Sequence, residues 1–167
     1  EVRAKLEAQF MLDPEKAAHL TTVGEIQRPF FQKVVERISI YIGIPFCPTK
    51  CHYCSFASNP LTTHAHLVEG FLAALAYEIE EIGKVLTRIG CSPATLYIGG
   101  GTPTVLTSNQ LRQLLDQISR HFPLEGLLEY TVEAGRPDTL DRDKLQLLRD
   151  YGITRISVNP QTFNPKT

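Results

Sequence analysis

The spacing of apolar residues changes period several times along the chain. Between Ile38 and Ile44 four isoleucines alternate with smaller or polar residues, and this period of two predicts a β-strand. Further strands are predicted at Ala94–Ile98, Leu128–Ala134 and Thr154–Val158. Each of the first three predicted strands runs into a short segment rich in glycine, proline or cysteine, where we expect the chain to turn.

Helical patterns fill the intervals between these strands. A long helix is predicted from about Thr62 to Leu86, and a second from about Ser108 to His121 with Thr107 or Ser108 as its cap. The spacing of apolar residues in the long helix is four, and the residues that carry it are Leu67, Phe71, Leu75 and Ile79. A third helix is predicted to open at Asp138 or Thr139 and to reach Tyr151, with Gly152 as its end signal.

The first 36 residues have a helical pattern but contain no recognisable motif. Asp13 followed by Pro14 predicts a helix start, and Pro29 is predicted to break whatever helix follows. We expect residues 1–36 to be a helical leader or linker. Since the chain begins with Glu1 rather than Met, we also expect it to be part of a longer protein.

Strands that alternate with helices predict right-handed crossovers and a parallel sheet. Four strands are too few to close an eight-stranded barrel, so residues 37–167 form either a small open sheet or the front part of a larger barrel. The last predicted strand ends only nine residues before Thr167, which favours the incomplete barrel. The predicted fold class is therefore α/β, with four βα units preceded by a helical segment.

Charge and composition exclude several functions. The chain has 17 basic and 18 acidic residues, a net charge of −1, so neither nucleic acid nor an acidic partner is expected. No apolar run approaches the roughly 20 residues of a membrane span. With no secretory signal, we expect a cytoplasmic protein whose cysteines are reduced.

Three of the four cysteines lie within the segment IPFCPTKCHYCSF, residues 44–56. A disulfide framework is disfavoured, because an odd set of close cysteines would close only short loops. A structural zinc ion needs four ligands, and only His52 or the distant Cys91 could complete the set. A [4Fe–4S] cluster held by Cys47, Cys51 and Cys54 agrees best with the spacing, because it leaves one iron open to another ligand.

The pattern C-x-x-x-C-x-x-C after a first strand, with Tyr53 before the third cysteine, resembles the signature of the radical S-adenosylmethionine (SAM) enzymes. The resemblance implies a partial parallel barrel of about six βα units. It also implies that the open iron chelates SAM and that an electron from the cluster cleaves it, giving a 5′-deoxyadenosyl radical that removes a substrate hydrogen.

Further motifs resemble one branch of that family, the oxygen-independent coproporphyrinogen III oxidase-like enzymes, and within it the HemZ-type coproporphyrinogen dehydrogenases. They are YIGGGTPT (97–104), YTVEAGRPDTL (130–140) and RISVNPQTFN (155–164). By this resemblance, the residues that contact SAM are Tyr41, Tyr53, Gly100, Gly101, Thr102, Glu133 and Gln161. All these positions are expected at the carboxyl ends of strands, where parallel barrels have their active sites.

The same resemblance implies oxidative decarboxylation of coproporphyrinogen III propionates to vinyl groups, with a flavodoxin or ferredoxin as reductant. One position departs from the characterised oxidases, which carry a further cysteine where this chain has Phe56. Heme chaperones of the same branch share that difference. The alternatives are therefore a heme-binding chaperone without decarboxylase activity and a radical SAM heme methyltransferase. Arg136 is a weaker candidate for meeting a substrate carboxylate.

Overall fold

The computed structural model describes residues 1–32, 37–56 and 58–164. The chain divides into two compact units, Glu1–Arg37 and Ile38–Thr167. The first unit contains helices α1 (Val2–Phe10) and α2 (Pro14–Gln32). That this unit serves as a leader or linker stays a prediction.

The predicted start of α2 is confirmed, and its predicted break is wrong. Asp13 Oδ1 accepts a hydrogen bond from the backbone N–H of Glu15 at 2.9 Å, as expected of a capping residue. Pro29 lies inside α2, which continues to Gln32. A proline removes a single backbone hydrogen bond, and here the helix extends three residues past it.

The second unit alternates strands and helices. In chain order its strands and α-helices are β1 (Ile38–Ile44), β2 (Phe46–Cys47), β3 (Asn59–Pro60), α3 (Leu61–His64), α4 (Val68–Ile89), β4 (Pro93–Gly100), α5 (Ser108–His121), β5 (Glu129–Glu133), α6 (Arg142–Asp150) and β6 (Arg155–Ser157).

The main sheet has four strands in the order β1-β4-β5-β6, and every neighbouring pair is parallel. Along the chain, each further strand of this sheet lies beside the previous strand of the sheet, always on the same side, as in a barrel. This confirms the predicted α/β class and the four predicted strands. Two further strands, β2 and β3, form a separate parallel pair. β2 includes Cys47, and β3 follows the cysteine segment.

The core lies between one face of this sheet and the helices. Ile42 and Ile44 of β1 are buried on that face, whereas Tyr41, one position away, is exposed on the other. The remaining buried core residues of the strands and helices are Phe46, Leu96, Ile98, Tyr130, Val132, Val68, Leu75, Ile79, Leu86, Leu111, Leu114, Leu115, Ile118, Leu147 and Leu148. The opposite face carries the smaller and polar residues that border the candidate site.

The long helix predicted from Thr62 to Leu86 is divided. A short helix, α3, is followed by a 3₁₀ turn at Ala65–Leu67, and α4 begins only at Val68. Leu67 is consequently 46% exposed, and the neighbouring Val68 is buried instead. The predicted apolar period is confirmed from Phe71 onward, but its first buried member is Val68 rather than Leu67.

The cap of α5 is confirmed and that of α6 is corrected. Thr107 and Gln110 form a reciprocal capping box at the start of α5. The last helix opens at Arg142 rather than near Asp138, because Asp141 Oδ1 accepts from the backbone N–H of Lys144 at 2.7 Å. The preceding residues, Pro137–Thr139, form a 3₁₀ turn.

Candidate functional site

The cysteine segment forms one wall of a cavity at the carboxyl ends of the strands. Cys47 lies on β2, and Cys51 and Cys54 follow in a turn where the Cys54 N–H donates to the Cys51 carbonyl at 3.1 Å. The cavity measures about 170 Å³. The residues that line it are Cys47, Thr49, Cys51, Tyr53, Cys54, Phe56, Ser58, Gly100, Gly101, Thr102, Glu133, Gly135, Arg136, Asn159 and Gln161.

The glycine loop, residues 99–102 at the end of β4, packs directly against this segment. The N–H of Gly101 donates to the carbonyl of Ile44 at 2.7 Å. A Cβ on Gly101 would lie 2.6 Å from the Phe46 carbonyl oxygen and 2.8 Å from Cys47 Sγ. Gly100 has a φ of 107°, which disfavours any side chain. The two loops therefore approach at a distance that only glycine allows.

Thr102 links the glycine loop to the first cysteine. Its N–H donates to the carbonyl of Phe46 at 2.8 Å, and its hydroxyl donates to Cys47 Sγ at 3.6 Å. Burial raises the pKa of Cys47, while the hydrogen bond from Thr102 acts in the opposite direction. The buried Thr102 thus favours the thiolate, the form that binds iron.

Glu133, the last residue of β5, reaches across to the glycine loop. Its Oε2 accepts from the N–H of Gly100 at 3.2 Å. A second cavity of about 410 Å³ adjoins the first, with which it shares Glu133, Gly100 and Phe56. Tyr41 and Tyr97 complete its lining.

Tyr41 lies in the middle of β1 rather than at the expected carboxyl end. It lies opposite Tyr97 of β4, and the two rings stack with centroids 5.8 Å apart at an interplanar angle of 14°. Burial, followed by the charge of Glu133, raises the pKa of Tyr97. The stacked pair gives the second cavity a flat aromatic wall.

Gln161 joins the segment after β6 to the cysteine segment. Its side-chain oxygen accepts from the hydroxyl of Tyr53, and its amide nitrogen donates to the carbonyl of Gly135. Gln161 has a φ of 65°, in the left-handed region that non-glycine residues seldom adopt. Gln161 also lines the first cavity.

The structure brings all ten predicted site residues to two adjoining cavities: nine line the first, and Tyr41 lines the second. Cys91 packs against the hydrophobic core instead. All four cysteines are free thiols. Within residues 1–32, 37–56 and 58–164, no three His, Cys, Asp or Glu side chains are grouped to hold a single metal ion.

These features fit a sulfur-ligated cluster together with a ligand that contacts backbone. Three thiols line one cavity together with Gly100 and Gly101, which have no side chains. Ser58 Oγ is buried beside the cavity without a hydrogen-bond partner in the described structure. Such an atom favours a further partner at this wall.

Comparison with known proteins identifies the family. The family model described as "Radical SAM superfamily" matches residues 41–167, which include every predicted site residue. The chain belongs to the radical SAM superfamily. Membership implies a [4Fe–4S] cluster and SAM as cofactors, and the predicted family and cofactors are thereby confirmed.

Named relatives of this radical SAM chain come from porphyrin and heme metabolism. The chain is 40% identical to the oxygen-independent coproporphyrinogen-III oxidase-like protein HemZ of Bacillus subtilis over 100% of its own length and 34% of the relative's. It is 42% identical to the heme chaperone HemW of the same species over 75% of its own length and 32% of the relative's.

The solved structure of coproporphyrinogen III oxidase (HemN) from Escherichia coli, described as a radical SAM enzyme, matches with a TM-score of 0.69 and 30% identity. The match covers 83% of this chain and 32% of that one. The chain thus spans about a third of the length of the relatives it matches. Both oxidase and chaperone names occur among them.

Several lining residues had no role in the sequence prediction. The sequence assigns no role to Tyr97, Thr49, Ser58 or Asn159, and for Arg136 it predicts only a contact with a substrate carboxylate. Tyr97 had an available signal, since it begins the glycine motif at a position that alternation turns away from the core. No described helix is long and apolar enough to span a membrane.

Proposed function

We propose that this chain holds the cluster and part of the SAM site of an enzyme that decarboxylates coproporphyrinogen III without oxygen. The observation that carries the proposal is the meeting of three thiols, the glycine loop and Glu133 around one cavity. Its position at the carboxyl ends of parallel strands is where barrel enzymes build their active sites. The relatives named for this oxidation support the choice of substrate.

Each part of the cavity has a proposed task. Cys47, Cys51 and Cys54 ligate three irons of the cluster and leave the fourth for SAM. Gly100 and Gly101 line the cavity, and their backbone is proposed to contact SAM. The remaining proposed SAM contacts are Tyr41, Tyr53, Thr102, Glu133 and Gln161.

When bound, the two cofactors supply reductive cleavage of SAM and, through the resulting radical, removal of a hydrogen atom from a propionate. The propionate then gives up one electron and CO₂ and becomes a vinyl group. The reaction therefore needs an electron donor for the cluster, proposed to be a flavodoxin or ferredoxin, and a separate electron acceptor. Around the reacting atoms, the chain's own residues hold ligands and exclude water.

Phe56 favours a second candidate, a heme chaperone. The characterised oxidases carry a cysteine at this position, whereas Phe56 is 77% exposed and lines both cavities. The 42% identity to a heme chaperone supports the same alternative. In this case the protein binds heme, and the cluster serves a regulatory or assembly role.

An anaerobic assay separates the candidates. Full-length protein is incubated with dithionite, SAM, an electron acceptor and coproporphyrinogen III, and porphyrin products are separated chromatographically. The proposal predicts tri- and divinyl products that are lost in Cys54→Ser and retained in Cys91→Ser. Cleavage of SAM with no vinyl product would overturn the decarboxylase proposal. Stoichiometric heme binding would then favour the chaperone, and transfer of a methyl group to heme would favour the methyltransferase.

A further inference from the structure

Arg136 reaches the cysteine segment from the turn after β5. Its Nη1 donates to Thr49 Oγ1 at 3.2 Å and to Cys51 Sγ at 3.8 Å. The side chain lines the first cavity and is 21% exposed. A guanidinium group, which stays charged at all working pH values, therefore lies beside one of the three proposed cluster ligands.

Asp138 holds the two guanidinium nitrogens of Arg136 that do not contact the cysteine segment. Arg136 Nε donates to Asp138 Oδ1 at 3.0 Å, and Nη2 donates to Oδ2 at 2.8 Å. This pairing raises the pKa of Arg136 and lowers that of Asp138. With two nitrogens engaged in a planar fork, the third is directed toward the cysteine segment.

The backbone of Arg136 is anchored just as firmly. Its carbonyl accepts from the hydroxyl of Thr139 at 2.7 Å, and this hydroxyl lies 2.6 Å from that of the fully buried Thr104. Lys144 Nζ donates to the carbonyls of Thr104 and Thr139 at 2.7 and 2.9 Å. The turn that carries Arg136 is thus tied to the glycine loop, and its side chain is held in place before any ligand binds.

A donor beside a ligating thiolate affects the cluster that the thiolate holds. One-electron reduction of a cluster adds one negative charge to it, and a neighbouring positive charge or N–H···S hydrogen bond stabilises the more negative state. Reduction potentials of iron–sulfur clusters follow these two factors together with solvent exposure. Arg136 supplies a hydrogen bond to Cys51 and a positive charge, which its ion pair with Asp138 partly offsets.

We propose that Arg136 is a positioning residue that fixes the Cys51 side of the cysteine segment and raises the reduction potential of the cluster. This inference rests on the proposed ligation by Cys47, Cys51 and Cys54. The bound cluster accepts its single electron more readily because the guanidinium is present. Replacement of Arg136 should therefore shift the potential without removing any ligand.

The test is a redox titration of anaerobically reconstituted full-length protein, with dithionite as reductant and the reduced cluster followed by electron paramagnetic resonance. Arg136→Gln should lower the equilibrium constant for reduction at least tenfold, which corresponds to a potential about 59 mV more negative. Arg136→Lys keeps the positive charge but loses the paired hydrogen bonds of the planar guanidinium. We therefore expect the equilibrium constant for reduction to fall by less than tenfold.

Arg155→Gln is the matched control. It removes the same charge from a residue that is 65% exposed, pairs with Glu129 at 3.2 Å and lies outside both cavities. The reduction potential of the cluster in Arg155→Gln should equal that of the wild type, because solvent and salt screen an exposed charge.

The outcomes separate this inference from the proposed function. Equal potentials in wild type and Arg136→Gln, at equal iron content, would overturn the role of Arg136 while leaving the cluster proposal intact. A wild-type protein that binds no cluster would overturn the proposed function itself. If Arg136→Gln does not retain iron, Arg136→Lys provides the test. A cluster potential in Arg136→Lys below that of the wild type supports the inference. A potential equal to or above that of the wild type refutes it.

Discussion

Gly101→Ala gives the sharpest test of the contact between the glycine loop and the cysteine segment. The added Cβ would lie 2.6 Å from the Phe46 carbonyl oxygen, 2.8 Å from Cys47 Sγ and 3.1 Å from the Ile44 carbonyl oxygen. Two of the three atoms belong to the backbone of the opposing loop and cannot move by a simple rotamer change. The loops must therefore separate for the methyl group to fit.

Overpacking of this kind typically costs about 1–3 kcal/mol. Separation also strains the hydrogen bonds from Gly101 N–H to the Ile44 carbonyl and from Thr102 N–H to the Phe46 carbonyl. We expect the free energy of unfolding of the reduced, iron-free protein to fall by about 1–3 kcal/mol. Since each kilocalorie shifts the melting temperature of a domain this size by about 2–4 °C, the loss is measurable by urea or thermal denaturation.

Gly70→Ala serves as the control for this substitution. Gly70 lies in α4, and a Cβ built there meets no atom within 4 Å. An alanine in a helix is favoured over glycine by up to about 1 kcal/mol, so Gly70→Ala should stabilise the protein slightly. Iron content after reconstitution gives a second measurement. It should fall in Gly101→Ala, because the added methyl group displaces Cys47, and should stay unchanged in Gly70→Ala. Wild-type stability and full iron content in Gly101→Ala would refute the argument that close approach requires this glycine.

Two further substitutions test the elements around the site. Thr107→Ala removes the capping box that Thr107 forms with Gln110, and should lower the free energy of unfolding by about 0.5–2 kcal/mol in urea titrations; an unchanged midpoint would contradict this. Lys144→Met keeps an apolar stem but leaves the Thr104 and Thr139 carbonyls without their shared donor. We expect a loss of about 1–3 kcal/mol, and a variant as stable as wild type would show that these contacts contribute little.

Much of the fold was predictable because its strands have strong local patterns. The isoleucine alternation places one face of β1 in the core, and the predicted bounds Ile38–Ile44 match the structure. The parallel direction of the strands followed from the strand–helix alternation alone. The start of α4 was not predictable in this way: Leu67 and Val68 are equally apolar, and the preceding 3₁₀ turn decides which of them is buried.

The candidate site was predictable where its residues belong to motifs at strand ends. Cys47, Glu133 and Gln161 are distant in sequence, yet line one cavity. The contact between Arg136 and Cys51 spans 85 positions and depends on how Asp138 orients the guanidinium. No local spacing rule encodes such a contact, so the sequence alone does not predict a role for Arg136 at the cluster.

The most direct test of the central claim is anaerobic reconstitution with iron and sulfide, followed by metal analysis. Three thiolates holding one [4Fe–4S] cluster predict about four irons per chain in both the wild type and Cys91→Ser. Replacement of Cys47, Cys51 or Cys54 by serine should abolish the cluster absorbance and the iron content. Stoichiometric zinc that requires Cys91, or undiminished iron after loss of any one of the three clustered cysteines, would contradict the proposed site.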